Sequence, residues 1–465
     1  MKKNILILFI IVSSLANANN NDSLFSLWEN KSMPDSTRIV ALAKYITFNV
    51  INTNPDSAKS LTDELYIYSE MKKNNVGLSE AYNNYAILSS YDGDYKKALN
   101  YLSKGLVINE KIKNKGRIAN SLINMASMYN YLGEYDKALE THKRCLVIQK
   151  ELDDKRGLIQ TYNNMGITYD YMGNNKKAIE YYELTIKLSE KIGYLEGIVN
   201  GHLNISLIYY DLGEMEKSFI EINKSLEIAK TLKDKFLLAS TYANVGYIKA
   251  GMKNYDEALE NYNIALKIHI ELNDDRGIAN VMFLLGELTK TQGDYKQAIW
   301  YFEESLKSYQ DIEQSYDISA CYMNIGKCHL GLNEISKAIT NCEKGYNISN
   351  KIGAIEIEKD ACDCLYESYK AKGSNKKAME YLERSKVLVD SINNNETSEK
   401  LTQLEYENKI LADSLAKENE KIEIELKESN SIQYLLFIAS GLLVLLLVGG
   451  YLLKRKRSNN SITKN

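Results

Sequence analysis

Residues 162–185 read YNNMGITYDYMGNNKKAIEYYELT, and the same design returns every 40 residues along the chain. Tyr162 opens it, the small Gly166 follows, then Tyr169, the turn residue Gly173, Ala178 and Tyr182. The turn position recurs as Gly93, Gly133, Gly173, Gly213, Lys253, Gly293, Asn333 and Gly373, and five residues after each stands Ala98, Ala138, Ala178, Ser218, Ala258, Ala298, Ala338 or Ala378. A fixed period of this length is the sign of stacked helical hairpins, each of which covers its apolar faces only with its neighbours. A second small column, Ala86, Ala126, Gly166, Ser206, Gly246, Gly286 and Gly326, lets the first helix of a hairpin (helix A) approach the second (helix B) closely. Glycine at the turn permits the left-handed backbone that ends helix A; Asn333 adopts it too, and Lys253 less readily.

Composition agrees with an all-α scaffold. The chain has only 2 prolines, Pro34 and Pro55, so nothing interrupts helices over the rest of its 465 residues. With 58 basic and 61 acidic residues the net charge is -3, which gives no field to attract nucleic acid. No nucleophile–base pairing, phosphate-cradling glycine loop or metal-ligand spacing is present, so neither an enzyme nor a cofactor is expected. Five of the six cysteines cluster late: Cys321, Cys328, Cys342, Cys362 and Cys364. Cys362 and Cys364 lie two apart on a helix and point in different directions, which argues against a metal site. They read as small buried fillers, and one disulfide among them stays open if the domain occupies an oxidising compartment.

The recurring aromatic, small, aromatic, glycine, alanine, aromatic order resembles the tetratricopeptide repeat. The resemblance implies a right-handed solenoid of helical hairpins. Eight units are expected over residues 75–394, preceded by a degenerate capping hairpin at 35–74 that carries Ala58. The period exceeds the usual repeat of about 34, the extra residues falling between units, as in Lys150 to Gly157 and Ile270 to Gly277. This long form resembles the repeats of animal spindle-orientation adaptors and, more closely, those of bacterial membrane-bound sensor kinases and regulators. In such proteins a signal peptide, a capping segment like Asn54 to Ala58, long repeats, a charged helix and one membrane span follow in this order.

Both ends of the chain fit that order. Residues 1–18 join a charged start, the apolar stretch Ile5 to Val12 and the ending Ala16, Asn17, Ala18, the design of a secretory signal peptide. Residues 19–34 form a lead-in. Residues 432–453 are expected to form a transmembrane helix: Tyr434 to Leu453 carries no charge and would reach about 30 Å as a helix. Lys454, Arg455, Lys456 and Arg457 follow it, which places the tail 454–465 in the cytoplasm and the repeats outside the inner membrane, in the periplasm. Between them, residues 395–431 read as a charged linker helix with Leu401, Leu404, Leu411, Leu415 and Ile422 spaced partly like a coiled-coil seam. Asn408, Glu418 and Glu425 break the seam, so a solvated helix and a homodimer through 396–430 are both open. Only Ser458 to Asn465 follow the basic cluster, so the expectation is a stand-alone relative without its own output domain, or a shortened reading frame.

Function is expected in the groove. Asn84, Asn124, Asn164, Asn204, Asn244 and Asn324 recur two residues before the small packing position, replaced by Leu284 and Cys364. That position faces away from helix B, and an amide offers both donors and an acceptor to an extended peptide backbone. The resemblance supports the same use, since adaptors with similar repeats hold peptides through such asparagines; bonding between neighbouring repeats is the other account. Tyr91, Tyr131 and Tyr171 recur at another groove position, with Asp170, Tyr210 and Asp211 close by, whereas Tyr129, Tyr169, Tyr209 and Tyr369 match a packing position. The four histidines, His142, His202, His269 and His329, all lie within repeats and read as packing or surface residues. The leading reading is a non-enzymatic, membrane-tethered scaffold for a peptide or protein, serving signal transduction. The other is a structural scaffold for envelope assembly or surface attachment.

Overall fold

The computed structural model describes residues 21–392 apart from 52, 53, 92 and 313. The signal peptide, linker helix, membrane span and basic tail expected at 1–18, 395–431, 432–453 and 454–465 lie outside the described residues. Those described are helical throughout, with no strand among them. Three helices lead in: α1 (Asn21–Glu29), α2 (Asp35–Tyr45), which runs into a π-helical turn at Ile46–Val50, and α3 (Pro55–Met71). Then come seven complete A/B pairs: α4 (Asn75–Tyr91) with α5 (Tyr95–Lys111), α6 (Lys115–Tyr131) with α7 (Tyr135–Glu151), α8 (Lys155–Tyr171) with α9 (Asn175–Ile192), α10 (Leu195–Asp211) with α11 (Met215–Ala229), α12 (Lys235–Gly251) with α13 (Tyr255–Leu272), α14 (Asp275–Thr291) with α15 (Tyr295–Asp311), and α16 (Ser315–Gly331) with α17 (Ile335–Ile352). The eighth pair is α18 (Ile355–Ala371) with helical residues 375–392. Each helix packs on the one before it and the one after it, the arrangement of a solenoid.

Local chemistry fixes the ends of these helices. Asp94, Asn114, Asp154, Asn174, Asp234, Asp274 and Asp294 each accept, on the side chain, the N–H three residues on, a cap worth about 1 kcal/mol. The A–B turns are left-handed where expected, with φ of 73° at Gly133 and 71° at Gly173. Lys253 adopts the same backbone at φ 63° despite its Cβ, a conformation less favourable for lysine than for glycine.

The small column is matched to what faces it. A Cβ at Gly166 would lie 2.5 Å from the Tyr182 ring, one at Gly246 2.7 Å from Tyr262, and one at Gly286 2.7 Å from Phe302. Where the residue sixteen positions on is Leu102, His142 or Ile222, the small residue keeps its Cβ as Ala86, Ala126 or Ser206. At these three places glycine makes room for a six-membered ring, and alanine or serine fills the space beside a narrower side chain; Gly326 departs from the rule, since the atom nearest a Cβ there would be the Cys342 sulfur. A second matching pair sits on the neighbouring ridge. Lys137, Lys177, Lys217 and Lys377 lie over the rings of Tyr129, Tyr169, Tyr209 and Tyr369, at 4.8 to 5.8 Å from the centroid. In the fifth pair the lysine has moved to the tyrosine's place: Lys249 is 9% exposed and meets Glu257 at 2.6 Å.

At the N-terminal end Arg38, 9% exposed, is held between the rings of Trp28 and Tyr68, and its Nε donates to the Trp28 carbonyl at 2.8 Å. The Tyr68 hydroxyl donates to Asp35 at 2.6 Å, and Lys72 meets the same carboxylate at 2.9 Å. These contacts satisfy the buried charge and close the first hairpin. Near the other end a disulfide joins Cys342 on α17 to Cys364 on α18, while Cys145, Cys321, Cys328 and Cys362 are buried thiols. Of the two readings of the cysteine cluster, one pair is therefore bonded and the rest are core.

Candidate functional site

The asparagine column divides. Asn84 is fully buried; its Oδ1 accepts from Thr47 Oγ1 at 3.1 Å, and its Nδ2 has no partner. Asn244 is 9% exposed and donates to the Ser240 carbonyl at 2.8 Å; Asn324, at 2%, accepts from Lys290 Nζ at 2.6 Å. These three were expected to face the groove, but their neighbours enclose them, and at Asn84 and Asn324 the partner comes from the preceding repeat. Asn124, Asn164 and Asn204 are only half-buried. Asn124 Nδ2 donates to Asn83 Oδ1 at 2.8 Å and Asn204 Nδ2 donates to Asn163 Oδ1 at 2.9 Å, each bond crossing to the preceding repeat. Asn83 and Asn163 are half-buried as well. They form no column in the sequence, because no asparagine stands at this place in the other repeats. An amide pair linked this way still presents one acceptor, Oδ1 of the donor residue, and one donor group, Nδ2 of the acceptor residue.

Beside the amides runs an edge of tyrosines. Tyr91, Tyr131 and Tyr171 close helices α4, α6 and α8, and each is half-buried. Tyr131 stacks on Tyr95 at 4.7 Å between centroids, Tyr171 on Tyr135 at 6.3 Å, and Tyr210 tilts against Tyr247 at 4.8 Å. Burial raises the pKa of Tyr91, Tyr131 and Tyr171, and the Asp170 carboxylate adds to the rise at Tyr171. All three are neutral phenols at physiological pH, suited to apolar contact and hydrogen bonding but not to general-base work.

The edge is also met from far along the chain. The Arg276 guanidinium, on the first turn of α14, lies over the Tyr91 ring at 5.1 Å, and its Nη2 donates to Gln314 Oε1 at 2.7 Å. Arg276 tempers the rise at Tyr91 and Tyr131, and Tyr95 lies within electrostatic range of Tyr316, which is 49% exposed. Asp317 sits in the same place; burial raises its carboxyl to about 6, with Arg276 pulling the other way. The solenoid has therefore come round on itself within about five repeats. Arg276, Tyr316 and Asp317 give no column signal in the sequence: only Arg156 repeats Arg276, and Tyr316 and Asp317 are repeated in no other unit.

Chemistry elsewhere is quiet. Burial pushes the thiols of Cys321, Cys328 and Cys362 to about 12 and that of Cys145 to about 11, so none is a thiolate nucleophile. His202 and His329 place Nδ1 2.6 and 2.7 Å from Glu221 and Glu334. Among the described residues no group of His, Cys, Asp and Glu could hold a metal ion.

Comparison with known proteins agrees with this architecture. A family profile described as tetratricopeptide repeat matches residues 117–191 and 237–311, and a second profile of the same description matches 199–232. No curated protein matches the chain in sequence. Among solved structures, a Rap protein complexed with Competence and Sporulation Factor is 16% identical, with a TM-score of 0.50, over 78% of this chain and 100% of its own. The apo quorum sensor NprR from B. thuringiensis is 15% identical with a TM-score of 0.48 over 71% of this chain and 92% of its own. A STAND protein from Pyrococcus horikoshii with a tetratricopeptide repeat sensor is 17% identical with a TM-score of 0.45, over 75% of this chain and 56% of its own.

Proposed function

We propose that this tetratricopeptide-repeat protein, which resembles sensor-type repeat proteins, captures an extended peptide or protein segment without enzymatic turnover, on the face formed by Asn83, Asn124, Asn163 and Asn204 and edged by Tyr91, Tyr131 and Tyr171. The observation that carries the reading is the pair of half-buried amide bridges, Asn124 to Asn83 and Asn204 to Asn163, set two repeats apart. Each bridge keeps one carbonyl oxygen and one amide nitrogen for a ligand, the complement of a backbone C=O and N–H pair. Neighbouring tyrosines supply rigid contact area at low entropic cost. The Rap structure, solved with its factor bound, is the precedent in fold.

The same proposal places the repeats outside the inner membrane, tethered by 432–453, with the tail 454–465 inside. The Cys342–Cys364 bond supports this placement, since a disulfide persists in an oxidising compartment. Signalling through the span is the role that fits a tethered receptor. The test uses the full chain with Asn83, Asn124, Asn163 and Asn204 replaced by alanine, in a pull-down from envelope extract. The parent retains a partner that the variant loses, while helical content by circular dichroism stays within a few per cent of the parent. Equal capture by both would refute the groove; proteolysis of the repeats from the cytoplasmic side of inverted vesicles would refute the topology.

A further inference from the structure

We propose that Arg276 and Tyr91 form a reversible clasp that holds the solenoid closed on itself when the groove is empty. The contact joins the first full repeat to the sixth, residues 185 positions apart, by a guanidinium 5.1 Å from a ring centroid. Among the described residues the apolar clusters on the two sides of this join stay within neighbouring repeats. Ala86, Leu102 and Leu122 pack with residues of the first two pairs, and Ala279, Phe302 and Ile325 with residues of the sixth and seventh. The solenoid itself is thus held by nearest-neighbour packing, and its closure rests on aromatic and polar contacts at the join.

Arg276 is braced for the role. Gln314, the N-cap of α16, fixes its Nη2 at 2.7 Å, and Asp317 stands within electrostatic reach without an ion pair shorter than 4 Å. A cation–ring contact of this class biases closed over open by about 2- to 30-fold, enough to set a preferred curvature and weak enough to be undone by a ligand. Tyr91 is also part of the proposed groove edge, so a peptide lying on that ring and the Arg276 guanidinium compete for one face. Closure itself does not depend on the groove reading and is measured without a ligand.

The test places spin labels at two exposed positions, Lys97→Cys in the first repeat and Lys296→Cys in the sixth, on the full chain, whose unpaired native thiols are buried. Double electron–electron resonance then reads the distance across the join. The parent gives one narrow distribution. Arg276→Ala and Tyr91→Leu each broaden it toward longer distances, their combination goes no further than either alone, and Tyr91→Phe, which keeps the ring but loses the hydroxyl that Arg276 also reaches, broadens it less than Tyr91→Leu. Arg276→Gln, which keeps much of the stem, must open the join as the alanine does and serves if the alanine variant folds poorly. Parent-like distances in Arg276→Ala, Arg276→Gln and Tyr91→Leu would overturn the proposal, as would effects of Arg276→Ala and Tyr91→Leu that simply add. A groove that captures no partner while these distances shift would remove the peptide reading and leave the clasp standing.

Discussion

His142 is the one imidazole placed in the column that elsewhere holds Leu102, Tyr182, Ile222, Tyr262, Phe302, Cys342 and Leu382. It is fully enclosed, and neither ring nitrogen has a hydrogen-bond partner. Burial therefore holds its pKa down to about 3, against an ordinary value of 6.5. The sign follows from proton binding: below pH 6.5 the unfolded chain takes up a proton that the folded chain refuses, so stability is complete above 6.5 and falls as the pH drops toward 3. At about 1.4 kcal/mol per pH unit the loss reaches about 2 kcal/mol at pH 5, against about 0.2 at pH 7. Replacing His142 with leucine, the residue its column carries at 102, removes the titrating group and the unsatisfied nitrogens together. Because a solenoid is held by neighbours, the effect falls on the hairpin α6/α7 and those adjoining it. Urea unfolding at pH 7.5 and pH 5.0, followed by circular dichroism, measures it for parent and His142→Leu. The parent loses about 2 kcal/mol more than the variant between the two pH values. Equal losses would refute the reasoning, since the acid sensitivity would then belong to other groups.

Three further outcomes are expected. Gly166→Ala drives a Cβ to 2.5 Å from the enclosed Tyr182 ring and destabilises by about 1–3 kcal/mol, whereas the double variant with Tyr182→Leu, which recreates the Ala86 and Leu102 pairing, recovers most of it; thermal melts of the two single variants and the double variant measure the coupling. Lys253→Gly relieves a left-handed lysine at φ 63° and stabilises by about 0.5–1 kcal/mol; a fall in melting temperature would show that the lysine side chain holds a contact worth more than the strain. The Cys342–Cys364 bond closes a sequence separation of 22, so replacing both cysteines with serine costs about 3 kcal/mol in the last two repeats, and only the parent shifts on a non-reducing gel after reduction and alkylation.

The A–B turn was legible in the sequence because a left-handed residue excludes most side chains, and glycine records that at six of its eight positions. A second left-handed turn, between repeats, recurs with the same period and was invisible. It is occupied by Lys73, Lys113, Asp153, Gly193, Asn273 and Gly353, too mixed a set to reveal itself as a column. The asparagine column was legible as a period and illegible as a surface. Whether Asn84 or Asn124 is open depends on what the preceding repeat offers, Thr47 from the π-helical turn in one case and Asn83 in the other. The contact between Arg276 and Tyr91 could not be read at all. It depends on a small rotation per repeat that accumulates over five repeats, and no residue pattern encodes that sum locally.

The tyrosine edge shows how a structural element persists while its sequence signal disappears. The last residue of successive A helices runs Tyr91, Tyr131, Tyr171, Asp211, Gly251, Thr291, Gly331 and Ala371, so by column the aromatic edge ends after three repeats. In space it continues. A Cβ at Gly251 would lie 2.3 Å from the Tyr210 ring, and one at Gly331 2.6 Å from Tyr295. At these two of the five places where the column loses its ring, glycine lets a tyrosine of the preceding repeat lie close against bare backbone. In the first repeats Tyr95 and Tyr135 meet a ring at that same place, and a stacked pair forms instead. The two arrangements cover the edge alike but differ in depth, because two rings stand higher than one ring on a glycine. A ligand reaching the N-terminal part of the edge meets doubled aromatic surface beside the amide bridges, and farther along only a single layer. Arg276 arrives from the sixth repeat over Tyr91, the first ring of the edge, next to the doubled part, so a ligand approaching the surface richest in contact area meets that guanidinium beside it.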